Sequence, residues 1–228
     1  MARVLITGAG RGIGLELARQ YVENGDAVIA CVRNPDASTA LQELTTRGSL
    51  SIVHMDLADF DTIAAAKREI GDVPLDILIN NAGYVGGSRQ RIDDVDIAEW
   101  HRTLDINTIG PLLVARAFKP NLAASGNGKL MNVSSQLAAS TWPMGGMLIY
   151  STTKAALCKI GQILAIDWKN EPIISALMHP GWVQTDMGGP NADITAEESA
   201  RGIRNVIANL TQADSGKFFK WNGEIHPW

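Results

Sequence analysis

Cysteine is nearly absent, with Cys31 and Cys158 the only two in 228 residues. Both stand in apolar surroundings and read as reduced core residues, which excludes a disulfide-stapled scaffold. Histidine is also sparse, at positions 54, 101, 179 and 226. These show no metal-ligand spacing among themselves or with the cysteines, so no metal site is expected. No apolar run approaches the length of a membrane span, and no polybasic cluster marks a membrane surface. The N-terminus passes straight into a strand pattern without a signal-peptide pattern, so a cytoplasmic location is expected. Excess positive charge is missing too: the net charge is −4, which leaves no electrostatic footprint for nucleic acid. Asn132-Val133-Ser134 matches a glycosylation acceptor but lies in a buried-strand pattern and is discounted.

Apolar runs bounded by turn residues alternate with helix-period segments along the whole chain. Strands are expected at Val4–Ile6, Ala27–Val32, Ser51–Met55, Leu75–Ile79, Lys129–Val133, Ile173–Met178 and Lys217–Trp221. Helices are expected over Ile13–Val22, Ser38–Thr46, Ile63–Ile70, around Tyr150 and over Ala196–Leu210. Ile97, Trp100, Leu104 and Thr108 mark one face of a further long helix. There is no internal repeat and no low-complexity linker. The alternation predicts an α/β fold: right-handed βαβ units in a doubly wound, Rossmann-type parallel sheet, helices on both faces, in one domain over 1–228.

Between the first strand and first helix runs Thr7-Gly8-Ala9-Gly10-Arg11-Gly12-Ile13-Gly14. Glycine suits a tight turn, a backbone that approaches a pyrophosphate, and a helix packed close to its strand. The following helix N-terminus offers free N–H groups to phosphates. Gly8, Arg11, Gly12, Ile13 and Gly14 are therefore candidate cofactor contacts, against the plainer alternative of a ligand-free βα turn. At the end of the second strand, where an NAD enzyme usually carries an acidic residue, Cys31-Val32-Arg33-Asn34 supplies no carboxylate. Arg33, with Arg11 approaching from the turn, suits a 2′-phosphate; otherwise Arg33 is a solvated strand-end residue. NADP(H) is the favoured cofactor. Asp56, followed by Leu57, is placed either to meet the adenine edge or to cap the next turn.

Tyr150 and Lys154 are four residues apart, which on a helix stacks both on one face. An ammonium beside a phenol favours the phenolate and lets the tyrosine exchange its proton nearer neutral pH. Asn80-Asn81-Ala82-Gly83 and Ser134-Ser135 follow apolar strands upstream. With the glycine turn, these motifs make the chain resemble the short-chain dehydrogenase/reductase family over nearly its whole length. The resemblance implies a seven-stranded sheet with the nicotinamide over the carboxyl ends of the strands. It implies Tyr150 as the general acid that protonates a carbonyl, and Lys154 as the residue that lowers the tyrosine pKa and holds the nicotinamide ribose. It gives Ser135 a hydrogen bond to the substrate oxygen, and Asn107 a water in the proton relay to the lysine. Asn81, Ala82 and Gly83 flank the adenosine ribose, and Pro180, Gly181, Val183 and Thr185 meet the carboxamide. The stretch from Ser135 to Tyr150 is slightly longer than the family's usual spacing, which leaves Ser134 and Ser135 both open; family usage points to Ser135. The compact length, Gly188-Gly189-Pro190 and the ending Gly216–Gly223 with Pro227-Trp228 resemble the C-factor or sniffer-type carbonyl reductases.

Tyr84, Trp142, Met144, Trp182 and Met187 lie on loops expected to meet above the nicotinamide as an apolar substrate pocket. The partner is then a small carbonyl or alcohol, with no nucleic acid and no membrane. The reaction expected is NADPH-dependent reduction of an aldehyde, ketone or quinone. The alternative is a dinucleotide-binding signalling protein of the C-factor type. A homodimer or homotetramer is expected, by family analogy, through the helices of Asn107 and Tyr150. Ala156, Ile160, Ile163 and Asp167 follow helical spacing there, and Leu157, Leu164 and Trp168 extend the apolar surface around the helix; one face can pack on the sheet, leaving a second strip for a partner.

Overall fold

Seven short apolar runs form the spine of the molecule. In the computed structural model, which describes residues 1–228, they are β1 (Arg3–Thr7), β2 (Ala27–Val32), β3 (Leu50–His54), β4 (Ile77–Asn80), β5 (Gly128–Val133), β6 (Ile173–His179) and β9 (Phe218–Lys220). They pair in the order β3-β2-β1-β4-β5-β6-β9, and every pairing is parallel. A parallel sheet is buried on both faces, which is why these strands read as nearly unbroken apolar runs. Successive side chains still alternate between two cores. Val4 and Ile6 face one cluster with Leu17 and Tyr21 of α1 (Gly12–Glu23), Leu41 of α2 (Thr39–Thr45) and Ile203 of α7 (Ala196–Asn209). Leu5 and Leu78 face the other, with Ile63 of α3 (Phe60–Ile70) and Phe118 of α5 (Gly110–Ala124). Leu164 of α6 (Leu148–Asp167) belongs to the same cluster. Burying each large side chain contributes about 1.5–3 kcal/mol.

The strand order reverses between β1 and β4. In such sheets the crevice outside the carboxyl ends of the strands at this point receives ligands. The loops after β1, β4, β5 and β6 all leave the sheet at that end, so the sequence motifs converge there.

The structure refines the expected elements in three places. Leu75 lies outside the β4 ladder because its N–H donates to the Asn121 carbonyl at 2.9 Å, while Asn80 joins the strand. Two short strands absent from the sequence reading, β7 (Val183–Gln184) and β8 (Ile194–Thr195), pair in parallel beside the cleft. The expected long helix is interrupted: α4 (Ile97–Leu104) passes into a π-helical turn, Asp105–Ile109, before α5. Pro111 accounts for it. Its ring crowds the carbonyl four residues back, Asn107, and it has no N–H to give. The Gly110 N–H bonds instead to the Asp105 carbonyl, five residues back. Such turns recur at functional positions.

Candidate active site

The glycine turn is locked by contacts that leave no room for a side chain. Gly8 (φ 67°) and Gly12 (φ 54°) occupy the left-handed region, which glycine alone adopts freely. A Cβ on Gly8 would stand 2.8 Å from Ala82 Cα, and one on Gly14 would collide with the Gly8 carbonyl oxygen. Asn81 fastens the arrangement, its amide donating to the Thr7 and Gly8 carbonyls at 3.1 and 3.2 Å. Thr7 Oγ1 accepts the N–H groups of Asn81 and Ala82, both at 3.1 Å. Asn81 and Ala82 thus form the floor under the turn. The α1 N-terminus has no side-chain cap and no acidic residue in its first turn, so its amides are free for an anion. These residues fit a dinucleotide pyrophosphate.

The two arginines separate. Arg33 is exposed at the end of β2 and makes no salt bridge. Arg11 instead pairs with Asp186 at 2.6 Å, both side chains largely exposed. Arg11 thus spans to the loop after β7, where Asp186 meets it. Asp56 Oδ1 accepts the Ala58 N–H at 3.0 Å, so the turn-capping role is realised with one carboxylate oxygen. Leu57 is buried in the core, leaving only its backbone to the cleft. Ile13 packs in part against the opposite core. On the far wall, Gly181 adopts φ 91° and Pro180 accepts a hydrogen bond from Ser199 at 2.7 Å. Val183 is buried, and Thr185 Oγ1 accepts the Gly188 N–H at 3.2 Å. Thr185 also approaches the glycine turn, since a Cβ on Gly12 would lie 3.1 Å from its methyl.

The π-helical turn presents Asn107 to the centre of this cleft, fully buried. Its amide clasps the Tyr84 backbone from both sides, accepting from the N–H and donating to the carbonyl at 2.8 Å each. It also donates to Thr153 Oγ1 at 3.1 Å, and Thr108 Oγ1 donates to the Thr153 carbonyl at 2.8 Å. Asn107 is thereby tied to α6 between Tyr150 and Lys154. Gly83 lies against Lys154, where an added Cβ would stand 3.3 Å from Nζ.

The two serines divide as strand alternation requires. Ser134 turns inward: its hydroxyl donates to the Lys154 carbonyl and accepts from the Cys158 thiol, both at 3.1 Å. Ser135 caps the short 3-10 turn Gln136–Ala138, accepting the Leu137 N–H at 3.2 Å. As a hydroxyl it also retains a proton to donate. Burial pushes the Tyr150 phenol up to about 12, and a hydrogen bond with Ser135 pulls the other way. Burial also depresses Lys154, to about 8, with the nearby Cys158 opposing. Lys154 Nζ stands 5.9 Å from the Tyr150 ring centroid and donates to the Val133 carbonyl at 2.9 Å. Desolvation dominates, and the ammonium is aimed at a backbone carbonyl.

The proposed pocket residues fall into three groups. Trp142 and Met144 are exposed on the loop before α6, and Met144 borders a cavity of about 400 Å³ with Ile92 and Met147. Trp182, after β6, and Met187, after β7, are exposed, and Trp182 Nε1 donates to the Gly188 carbonyl at 2.9 Å. Tyr84 differs: its ring lies 5.5 Å from the Arg102 guanidinium, which turns it toward α4. Sequence reasoning missed Thr7, Thr153 and His179, whose Nδ1 accepts the Gln136 N–H at 3.2 Å beside Ser135. Thr7 opens the glycine motif and was legible there. The other two act across long sequence gaps and carried no local signal.

Comparison with known proteins gives the family. The model of the short chain dehydrogenase family matches residues 2–195. The chain belongs to that family of oxidoreductases. Among curated relatives, C-signal of Myxococcus xanthus is 43% identical over 158 residues, covering 68% of this chain and 93% of that protein. Among solved structures, NADPH-bound carbonyl reductase from chicken fatty liver has a TM-score of 0.92 at 32% identity, covering 100% of this chain and 99% of that one. Carbonyl reductase Sniffer of D. melanogaster has a TM-score of 0.93 at 31% identity, with both chains fully covered. No helix of this chain is long and apolar enough to cross a membrane.

Proposed function

We propose that this chain is an NADP(H)-dependent reductase of aldehydes, ketones or quinones. The observation that carries it is the group formed by buried Ser135, Lys154 and Asn107 with half-buried Tyr150, beside a glycine turn whose helix end is free for phosphate. The amides from Gly8 to Gly14 would hold the pyrophosphate, with Arg33 at the 2′-phosphate and Asp56 and the Leu57 backbone at the adenine. Asn81, Ala82 and Gly83 border the adenosine ribose, Tyr150 and Lys154 the nicotinamide ribose, and the Pro180–Thr185 loop the carboxamide. When bound, the reduced cofactor supplies a hydride to the carbonyl carbon. The protein's own part is to hold and move a proton. Ser135 donates a hydrogen bond to the carbonyl oxygen, stabilising charge as it develops there. Tyr150 Oη, protonated at neutral pH, gives its proton to that oxygen. Lys154, depressed to about 8, keeps an exchangeable proton near working pH from which the phenol is restored, and Asn107 anchors the backbone of that relay.

NADPH oxidation against a panel of aldehydes, ketones and quinones tests the proposal. Tyr150→Phe should retain NADPH binding and lose on the order of a hundredfold or more in turnover. Near-parental turnover in that variant would falsify the assigned chemistry. The likeness to C-signal favours a second role, a dinucleotide-binding signalling protein, in which NADPH binds but no carbonyl in the panel is turned over.

A further inference from the structure

The start of α6, where Tyr150 sits, lacks a local cap. Met147 makes no side-chain capping bond, yet the first N–H groups of a helix need partners. The partner comes from sixty residues upstream in sequence. Gln90, in the loop between β4 and α4, is only 4% exposed, and its Oε1 accepts the Tyr150 N–H at 3.1 Å. Its backbone carbonyl accepts the Leu148 N–H at 3.2 Å. The other end of the same amide braces its own loop, Nε2 donating to the Val85 and Gly87 carbonyls, both at 2.9 Å. The fit is close, since a Cβ on Gly86 would stand 3.2 Å from Ile149 Cγ2 and 3.5 Å from Gln90 Nε2. A buried amide with its donors and acceptor all engaged is costly to disturb, and here it is joined to the backbone of the proposed proton donor.

We infer that Gln90 is a positioning residue for Tyr150, its amide capping α6 and setting where the phenol stands relative to Ser135. The inference rests on the proposed role of Tyr150. Two variants separate its two ends. Gln90→Met matches the shape and removes every side-chain bond. Gln90→Glu keeps an acceptor for the Tyr150 N–H, with a negative charge suited to a helix N-terminus, but loses both donors to the loop. The measurements are kcat with 9,10-phenanthrenequinone, the NADPH dissociation constant by fluorescence, and hydrogen exchange at the Tyr150 amide.

In Gln90→Met, kcat is expected to fall about tenfold to a hundredfold, as small displacements of reacting groups do. NADPH affinity should stay parental and Tyr150 exchange should accelerate. Gln90→Glu should keep most of the turnover and protect the Tyr150 amide. Equal loss of turnover in both variants would overturn the inference, because the loop brace would then be what matters. Parallel loss of NADPH affinity and turnover in Gln90→Met would overturn it too. If Gln90→Met does not fold, Gln90→Glu decides alone: retained turnover with a protected Tyr150 amide supports the inference, and lost turnover overturns it. If the parental protein reduces no carbonyl, the proposed function falls. Exchange at Tyr150 then still decides the capping: acceleration in Gln90→Met alone supports it, and parental exchange in both variants removes it.

Discussion

At the scale of single residues, the ionisable groups of the cleft carry a measurable cost. Lys154 is buried and its pKa is depressed from 10.5 to about 8, so the fold disfavours its charged form. The penalty is fully present below pH 8. It fades as pH rises from 8 towards 10.5, because over that range the unfolded chain binds the proton the folded chain has released. It amounts to about 3 kcal/mol, against which the charge-assisted hydrogen bond to Val133 returns roughly 1.5–3 kcal/mol. Lys154→Met is therefore expected to abolish turnover yet raise the melting temperature at pH 7 by no more than a few degrees. The gain should shrink as the melts are repeated up to pH 10.5. A variant less stable than the parent at pH 7 would show that the lysine contributes net stability. Arg33 is the second test. Losing a charge-assisted bond to the 2′-phosphate costs roughly 1.5–3 kcal/mol, or about tenfold to a hundredfold in affinity. Arg33→Ala should weaken NADPH by that factor and leave NADH nearly unchanged, as titration with both cofactors will read. An equal loss for both moves the specificity contact elsewhere.

Among elements, the turn between β1 and α1 tolerates least. Gly14 faces the Gly8 carbonyl and Asn81 Nδ2, with no space for a methyl group. Gly14→Ala must push α1 away from β1, an overpacking cost of about 1–3 kcal/mol. Calorimetry should show that destabilisation, and NADPH binding should be lost with it because the same amides are displaced. Binding that survives the alanine would place the pyrophosphate elsewhere. Legibility also varied at this scale. The turn was readable because its chemistry is local: glycine spacing, the strand before it and the helix after it. The π-helical turn was not read, although Gly110-Pro111 held its cause, because a helical period alone does not reveal a one-residue bulge. Ser134 and Ser135 could be separated only once α6 lay beside β5. The inward serine is then fixed by the Lys154 carbonyl and the Cys158 thiol.

For the whole molecule, the proposed homo-oligomer rests on the solvent face of α6. Leu157, Leu164 and Trp168, which extend the apolar surface around the helix, are buried, with Leu164 and Trp168 in the core against the sheet. The apolar side chains that α6 presents to solvent are Ile163 and Ile166, 44% and 67% exposed. A twofold partner would bury both on each subunit. Sedimentation at micromolar concentration should give a mass above the 24.5 kDa chain, and Ile166→Glu should return it to that value. A parental monomer removes the proposal; a dimer indifferent to Ile166→Glu shifts its interface.

Periodicity determined the architecture from residues alone. Runs of period two and 3.6, punctuated by glycine and proline, record which faces must leave water, and burial is the dominant force that a linear pattern can encode. The order of motifs likewise announced a nucleotide turn followed by a Tyr–Lys pair on one helix face. Tertiary structure alone decided which groups meet across the cleft. It paired Arg11 with Asp186, turned the Tyr84 ring toward α4, aimed Lys154 at Val133 and set Gln90 against Tyr150. Hydrogen bonds and desolvation act over about 3 Å between residues tens of positions apart, and no spacing along the chain specifies that distance.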